Sequence, residues 1–234
     1  MSSLHITQLR PLHRAACAPT ALPQLFNPYR DRDTAVDLAR APAIRRTNLR
    51  RYLAAQAALG PGRDLWLAEA PGATGTRRRG LPLIDEDELE RAAEHFGVRG
   101  GFQRPTRRSP AGKTATSLAI WAEIDRSGYR PVLWNVLPHH PYRLPADGRP
   151  ANRPPRRGEA RHFLPLVGVA WRTLCSPLGF SGPPPRLIAI GRFAERAARK
   201  LGLPHVYVRH PAQAGLRDFR EAMRRIYPDR SPCA

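Results

Sequence analysis

Lysine is nearly absent. Lys113 and Lys200 are the only two among 39 basic residues, so arginine carries almost all of the positive charge. Cysteine is scarce too: Cys17, Cys175 and Cys233 lie far apart, are odd in number and form no Cys-x-x-Cys pair. That removes the usual ligand set of a zinc ribbon or an iron–sulfur cluster and leaves free thiols in a reducing compartment as the expectation. No apolar run approaches the ~20 residues of a membrane-spanning helix, and residues 1–26 lack the continuous apolar stretch of a signal peptide. The glycine patterns of phosphate loops and dinucleotide folds are missing, and no Gly-x-Ser-x-Gly elbow presents a serine nucleophile. His139 and His140 are adjacent, point different ways and have no second histidine or cysteine at helical spacing, so no metal site is expected. These absences predict a soluble, intracellular (cytoplasmic) protein that uses no cofactor.

Acids are short as well. The chain has 19 Asp and Glu against its 39 bases, for a net charge of +20. Such an excess points to a polyanionic partner, most simply nucleic acid. A GC-rich coding sequence inflates arginine, alanine and proline together, but it does not exclude acidic codons, so it explains the arginine-to-lysine ratio better than the net charge. Proline, at 26 residues, predicts long stiff loops. A length of 234 residues suits one sizeable α/β domain with a single core.

Residues 1–41, with Pro11, Pro19, Pro23 and Pro28, read as an irregular arm holding at most a short helix, and residues 42–234 as the domain. A helix from Pro42 stops at Gly60-Pro61-Gly62; one face is apolar and the other carries Arg45, Arg46, Arg50 and Arg51, expected to be solvated or phosphate-bound. Strands are predicted at 64–68, 131–136, 186–190 and 205–208, separated by helices at 85–96, 113–126, 159–174, 193–201 and 216–226. Residues 138–155 read as a proline- and arginine-rich loop, too long for mere connection. Alternating strands and helices imply a parallel sheet covered on both faces.

Three strands end in polar residues and turn signals. Leu65–Gly72 reads Leu-Trp-Leu-Ala-Glu-Ala-Pro-Gly, Val132–Pro138 reads Val-Leu-Trp-Asn-Val-Leu-Pro with His139, His140 and Pro141 beyond it, and Val206–Gly215 reads Val-Tyr-Val-Arg-His-Pro-Ala-Gln-Ala-Gly. Ligands bind outside the carboxyl ends of parallel strands. If these runs are parallel neighbours, Glu69, Asn135 and His210 meet over one pocket.

Together, Glu69-Ala70-Pro71-Gly72, Leu133-Trp134-Asn135-Val136-Leu137-Pro138 with His140-Pro141, and His210-Pro211 resemble the uracil-DNA glycosylase superfamily in order and spacing. The Glu-Ala-Pro-Gly form is most similar to the thermostable bacterial and archaeal branch, and the likeness spans roughly residues 60–225. It implies a three-layer α/β/α sandwich with a central four-stranded parallel sheet. The implied activity is hydrolysis of the N-glycosidic bond of uracil, or another damaged base, flipped out of DNA by a cofactor-free monomer associated with the nucleoid. The side-chain amide of Asn135 offers the donor and acceptor that read a pyrimidine edge, with Ala70 and Leu83 as further base contacts. The carboxylate of Glu69 suits an oxocarbenium-like sugar and its attacking water. His210 sits where the family places the histidine that hydrogen-bonds the developing base anion. Arg209 is placed at a flanking phosphate, Gln213 and Leu216 at the vacated base stack, and Arg77, Arg78 and Arg79 in a basic loop gripping DNA backbone.

The chain departs from that branch at several points. Ala73-Thr74-Gly75-Thr76 replaces an acidic pair, Ala68 replaces a glycine, the four cluster cysteines are absent, and Leu83 follows Gly80-Leu81-Pro82 where the branch has an aromatic that stacks on the base. Phe102, Trp134 and Tyr142 are candidate substitutes for that ring. With no lysine in the three motifs, direct hydrolysis is expected rather than a Schiff-base step. Two rival readings are a catalytically impaired nucleic-acid binder on the same fold and a hydrolase of free nucleosides. The broad positive charge disfavours the second of these.

Overall fold

The computed structural model describes residues 4–73, 76–107, 114–146, 148, 150–212 and 214–229. Helices α1 (Leu4–Ala16) and α2 (Ala41–Ala58) flank a short strand β1 (Leu25–Phe26). Strand β2 (Leu65–Ala68) leads through α3 (Thr76–Arg79), a 3-10 turn at Glu86–Glu88, α4 (Leu89–Phe96) and α5 (Ala115–Ser127) to β3 (Val132–Asn135). The short strands β4 (His140–Arg143) and β5 (Ala151–Asn152) precede α6 (Arg157–Ala170), which runs into a π turn at Trp171–Cys175. Strand β6 (Leu187–Ile190), α7 (Arg192–Lys200), β7 (His205–Val208) and α8 (Leu216–Ile226) complete the chain.

The central sheet has the order β3-β2-β6-β7, and every pairing in it is parallel. Every residue of β2, β3 and β6 is buried, as continuous apolar runs covered on both faces require. Helix α6 packs on β3, α7 packs across β2, β6 and β7, and α5 packs on α8, which in turn lies against β7. The outer edge of β3 is closed rather than left open. The Tyr52 hydroxyl, from α2, donates to Leu133 O at 3.0 Å and accepts from Leu133 N at 2.7 Å.

Local signals set the helix ends. The Thr114 side chain accepts from Ser117 N at 3.1 Å at the start of α5, and Gly97 and Gly128 adopt the left-handed conformation that ends α4 and α5.

Several expectations are corrected. Residues 4–41 are not a loose arm: Leu9, Leu12 and Ala16 belong to the same core as the sheet, and β1 pairs with β4. The proline-rich segment 138–155 contains an antiparallel hairpin, β4 with β5, completing a second sheet of order β1-β4-β5. Its strands are too short for an alternation signal to stand out. Arg45 does not belong to a solvated face. Fully buried, it pairs with Asp37 and donates to Arg78 O at 2.7 Å. Residues 76–79 form a helical turn rather than an open basic loop. Arg79 is 1% exposed and pairs with Glu86 at 3.3 Å, while Arg77 packs its guanidinium over the Phe26 ring at 4.2 Å and pairs with Asp33 at 3.5 Å. Buried guanidiniums held by carboxylates do not reach a phosphate backbone, so Arg77 and Arg79 are removed from the DNA-gripping set; Arg78 is half-buried. Lys113, Cys233, Thr74 and Gly75 lie outside the described residues.

Candidate active site at the carboxyl edge of the sheet

The strand ends singled out in the sequence all emerge at one edge of the central sheet. Ala68 pairs with Asn135 across β2 and β3, and the two exits remain laced beyond the strands: Val136 N donates to Ala68 O at 2.9 Å and Leu137 N to Glu69 O at 3.0 Å. Strand β6 stands between β2 and β7, so the three motif strands are not all immediate neighbours.

Asn135 is 4% exposed, and its Oδ1 is buried without a hydrogen-bond partner. It faces a hollow of about 10 Å³ lined by Tyr29, Pro82, Trp134 and Pro138. That is about the room of one water molecule, well short of a pyrimidine. Glu69, one residue beyond Ala68, turns to the other side, as alternation along a strand dictates. It lines a separate cleft of about 430 Å³ between α6 and α7, with Arg157, Leu164, Phe193, Arg196 and Lys200. Burial raises the pKa of Glu69, against a lowering by the charge of Arg196. The polar side chains therefore share an edge but not a single hollow. Lys200, which belongs to none of the three motifs, joins the Glu69 cleft from the last turn of α7.

His210 packs over Gly191, whose φ of +89° and missing side chain admit the ring: a Cβ there would lie 3.3 Å from His210 Cβ. His210 Nδ1 accepts from Ala212 N at 3.2 Å, which leaves Nε2 as the protonated, donating nitrogen of a neutral ring. Burial lowers its pKa and favours that neutral form. The loop beyond is folded tightly: Ala214 has a φ of +62°, and a Cβ on Gly215 would lie 2.1 Å from His210 O. Leu216 opens α8 at 37% exposure, and Arg209 pairs with Asp218 at 3.5 Å on the surface. Gln213 lies outside the described residues. Ala70 packs half-buried against the core, and Leu83, at a φ of +58°, turns its carbonyl to Trp121 Nε1 at 3.1 Å.

Of the substitute rings, Trp134 borders the Asn135 hollow. Tyr142 instead stacks on His140, and Phe102 lies beside α4. Sequence reasoning missed Tyr29, a second aromatic bordering the hollow. It reaches there from before the domain boundary drawn in the sequence, held by its hydroxyl donating to Gly80 O at 2.9 Å. It also missed Asn152, whose Oδ1 accepts from Ala73 N and from His140 Nε2, both at 2.9 Å, pinning the loop that carries Glu69. Among the described residues, no three His, Cys, Asp or Glu side chains form a group able to hold a metal ion, and no helix is long and apolar enough to cross a membrane.

The sequence matches no protein-family model and no curated protein. A solved structure does match: the crystal structure of wild-type SMUG2 from Pedobacter heparinus aligns with a TM-score of 0.61 at 11% identity, covering 95% of this chain and 96% of that one. The fold is uracil-DNA glycosylase-like. On that fold the Asn135, Glu69 and His210 positions lie where strand ends meet ligands in open α/β sheets, and the four-stranded parallel sheet with helices on both faces is the architecture the sequence predicts.

Proposed function

We propose that the chain is a DNA glycosylase that hydrolyses the N-glycosidic bond of uracil, or a related damaged base, flipped out of DNA. The observation that carries this reading is the unpartnered, buried Oδ1 of Asn135 at the carboxyl edge of a uracil-DNA glycosylase-like sheet. A buried acceptor without a partner costs about 1–3 kcal/mol, and an imide N–H entering the hollow would recover that loss. The base is taken out of the stack, enters against the Tyr29 ring as the hollow widens beside Pro82, and pairs with Asn135. Glu69, ionised, stabilises the positive charge that develops on the sugar and orients water. The Nε2–H of His210 donates to the departing base anion. DNA is the partner, and the chain acts as a cytoplasmic monomer. Arg209 and Leu216 remain the assigned contacts flanking the base.

An oligonucleotide with a single uracil tests this directly. Strand cleavage that requires alkali after incubation supports direct hydrolysis. Cleavage without alkali would replace it with a Schiff base on Lys200, the lysine of the Glu69 cleft. Intact oligonucleotide would favour the second reading, a catalytically impaired nucleic-acid binder, which the small size of the Asn135 hollow supports.

Tyr29 takes the place of the ring missing at Leu83 in this reading. Tyr29→Leu should lower base release about tenfold, the scale of one base–aromatic contact. Tyr29→Phe keeps the ring and should retain most activity. Equal activity in all three proteins would assign the base face elsewhere.

A further inference from the structure

Helices α1 and α2 enclose a second cavity, of about 810 Å³, that the proposed reaction does not use. Five arginines line it: Arg10 and Arg14 from α1, Arg46 and Arg50 from α2, and Arg30 from the loop after β1. Among the described residues, no carboxylate lines it. Among the described residues, the side chains of Arg10, Arg14, Arg30 and Arg50 make no hydrogen bond or ion pair. This contrasts with the arginines beside carboxylates elsewhere, such as Arg45 with Asp37, Arg79 with Glu86, Arg126 with Glu123 and Arg153 with Glu159. Cations gathered in one concavity with low-dielectric walls repel each other and focus a positive potential outward. The floor is apolar, formed by Leu9, Leu53 and Pro19.

The arrangement of the charges is repetitive rather than convergent. Arg10 and Arg14 stand one helical turn apart on α1, and Arg46 and Arg50 stand one turn apart on α2, which packs against it. Two facing rows of guanidiniums suit a chain of phosphates better than one small anion. Tyr29 ties the groove's wall to that of the Asn135 hollow. Arg46 Nη1 donates to Tyr29 O at 2.5 Å, Tyr29 borders the hollow, and Arg30 is the next residue.

We infer that this arginine groove between α1 and α2 binds the phosphodiester backbone of a nucleic-acid strand, as a second contact surface extending from the base-reading edge. The inference rests on the reading of the chain as a DNA-acting protein but assigns a surface that reading does not include. With no Phe, Tyr or Trp among its described lining residues for bases to stack on, the groove reads charge and not sequence.

The test measures anisotropy of a fluorescent single-stranded oligonucleotide without any lesion, titrated over a range of salt. Three proteins are compared: the parent, Arg10→Gln/Arg14→Gln/Arg50→Gln, and Arg130→Gln/Arg224→Gln/Arg225→Gln. The last removes the same charge from exposed positions near the amino end of the sheet. The groove variant should bind at least tenfold more weakly, and its slope of log K against log salt should be shallower by about 2, the value for three lost single-strand phosphate contacts. The control should lose much less. Equal losses in both triple variants would reduce the effect to bulk charge and overturn the inference, as would parent-like binding by the groove variant. A fluorescent fatty acid held by the parent and released by the groove variant, with oligonucleotide binding unchanged, would overturn it in favour of an amphiphilic anion. If the groove triple does not fold, the Arg14→Gln and Arg50→Gln single variants are read the same way, with a slope change of about 0.7 each. The base-release assay separates the two proposals. Groove-dependent binding without base release removes the glycosylase reading and leaves the groove; base release with groove-independent binding does the reverse.

Discussion

Asn135→Ala should abolish most base release while making the protein more stable. The parent buries the side-chain carbonyl of Asn135 with no partner, and such a group costs roughly 1–3 kcal/mol in the empty protein. Alanine removes that group, so the urea midpoint should rise. The same change removes the only side chain assigned to read the base, and base release should fall by about 10²–10³-fold, the scale seen when a single oriented polar group is lost from a reaction centre. Affinity for undamaged DNA should be unchanged, because phosphate contacts supply it. A purely structural asparagine gives the opposite pattern, with stability and activity falling together. That outcome would end the assignment.

Glu69 belongs to the same argument. Burial holds its pKa above the usual carboxylate value, with the charge of Arg196 only partly opposing. A carboxylate whose folded pKa is raised stabilises the fold below its unfolded pKa and loses that contribution as pH rises through the folded one. At neutral pH the ionised Glu69 is therefore a net cost to the fold, kept where ionisation is useful. Glu69→Gln should raise the melting temperature at pH 7 and depress base release as strongly as Asn135→Ala. In the parent, base release should climb with pH along a limb that lies above the ordinary carboxylate range, then stay level across neutrality, because burial keeps His210 neutral and donating there. The Gln variant should lose this limb and keep only the acid loss that follows protonation of His139 and His140. A limb that persists in it would belong to another group.

How much of this was legible in the chain follows from the range of the signals. The central strands are short apolar runs ended by Pro and Gly, a local pattern, so their positions and parallel direction could be read from residues alone, whereas their order, with β6 between β2 and β7, could not. The last strand and last helix fall on the expected residues, 205–208 and 216–226. The second sheet could not be read, because β1 and β5 are two residues long and their partners lie more than a hundred and about ten residues away. Arg45, Arg77 and Arg79 look like solvent-facing bases in any sequence window. Only the fold brings Asp37, Asp33 and Glu86 against them. The site shows the same division. Asn135 and Glu69 were visible as polar residues interrupting apolar strands, whereas Tyr29 and Asn152 reach the edge from distant segments with no periodic pattern to mark them. The separation of Glu69 from Asn135 follows from alternation along β2, which places residue 69 opposite residue 68.

Acid should unfold this protein through His139 and His140. Both rings are fully buried, and burial lowers each pKa from 6.5 to about 4. His139 Nε2 bonds Ala16 O at 3.0 Å, and His140 Nε2 bonds Asn152 Oδ1 at 2.9 Å; neither Nδ1 has a partner, so a second proton on either ring finds no acceptor. Arg77 and Arg153 add repulsion at His140. A histidine whose folded pKa is depressed stabilises fully above its unfolded pKa and loses that stability as pH falls through 6.5 toward 4. For pKa values of this size the loss is about 2 kcal/mol per ring between pH 7 and pH 5, a large fraction of a typical domain's 5–15 kcal/mol. The urea midpoint should therefore drop steeply over that interval. His139→Gln/His140→Gln keeps a donor near each acceptor but cannot titrate, so its midpoint should change far less between the two pH values, even if it starts lower at pH 7. A double variant that falls as far as the parent would show that these rings do not take up protons on unfolding in that window. The two histidines tie the amino-terminal helix and the β4–β5 hairpin to the end of β3, and Asn152 of that hairpin holds the loop carrying Glu69. Loosening them by acid thus frees the reaction edge before the buried central strands give way, and base release should fail at a higher pH than the unfolding midpoint.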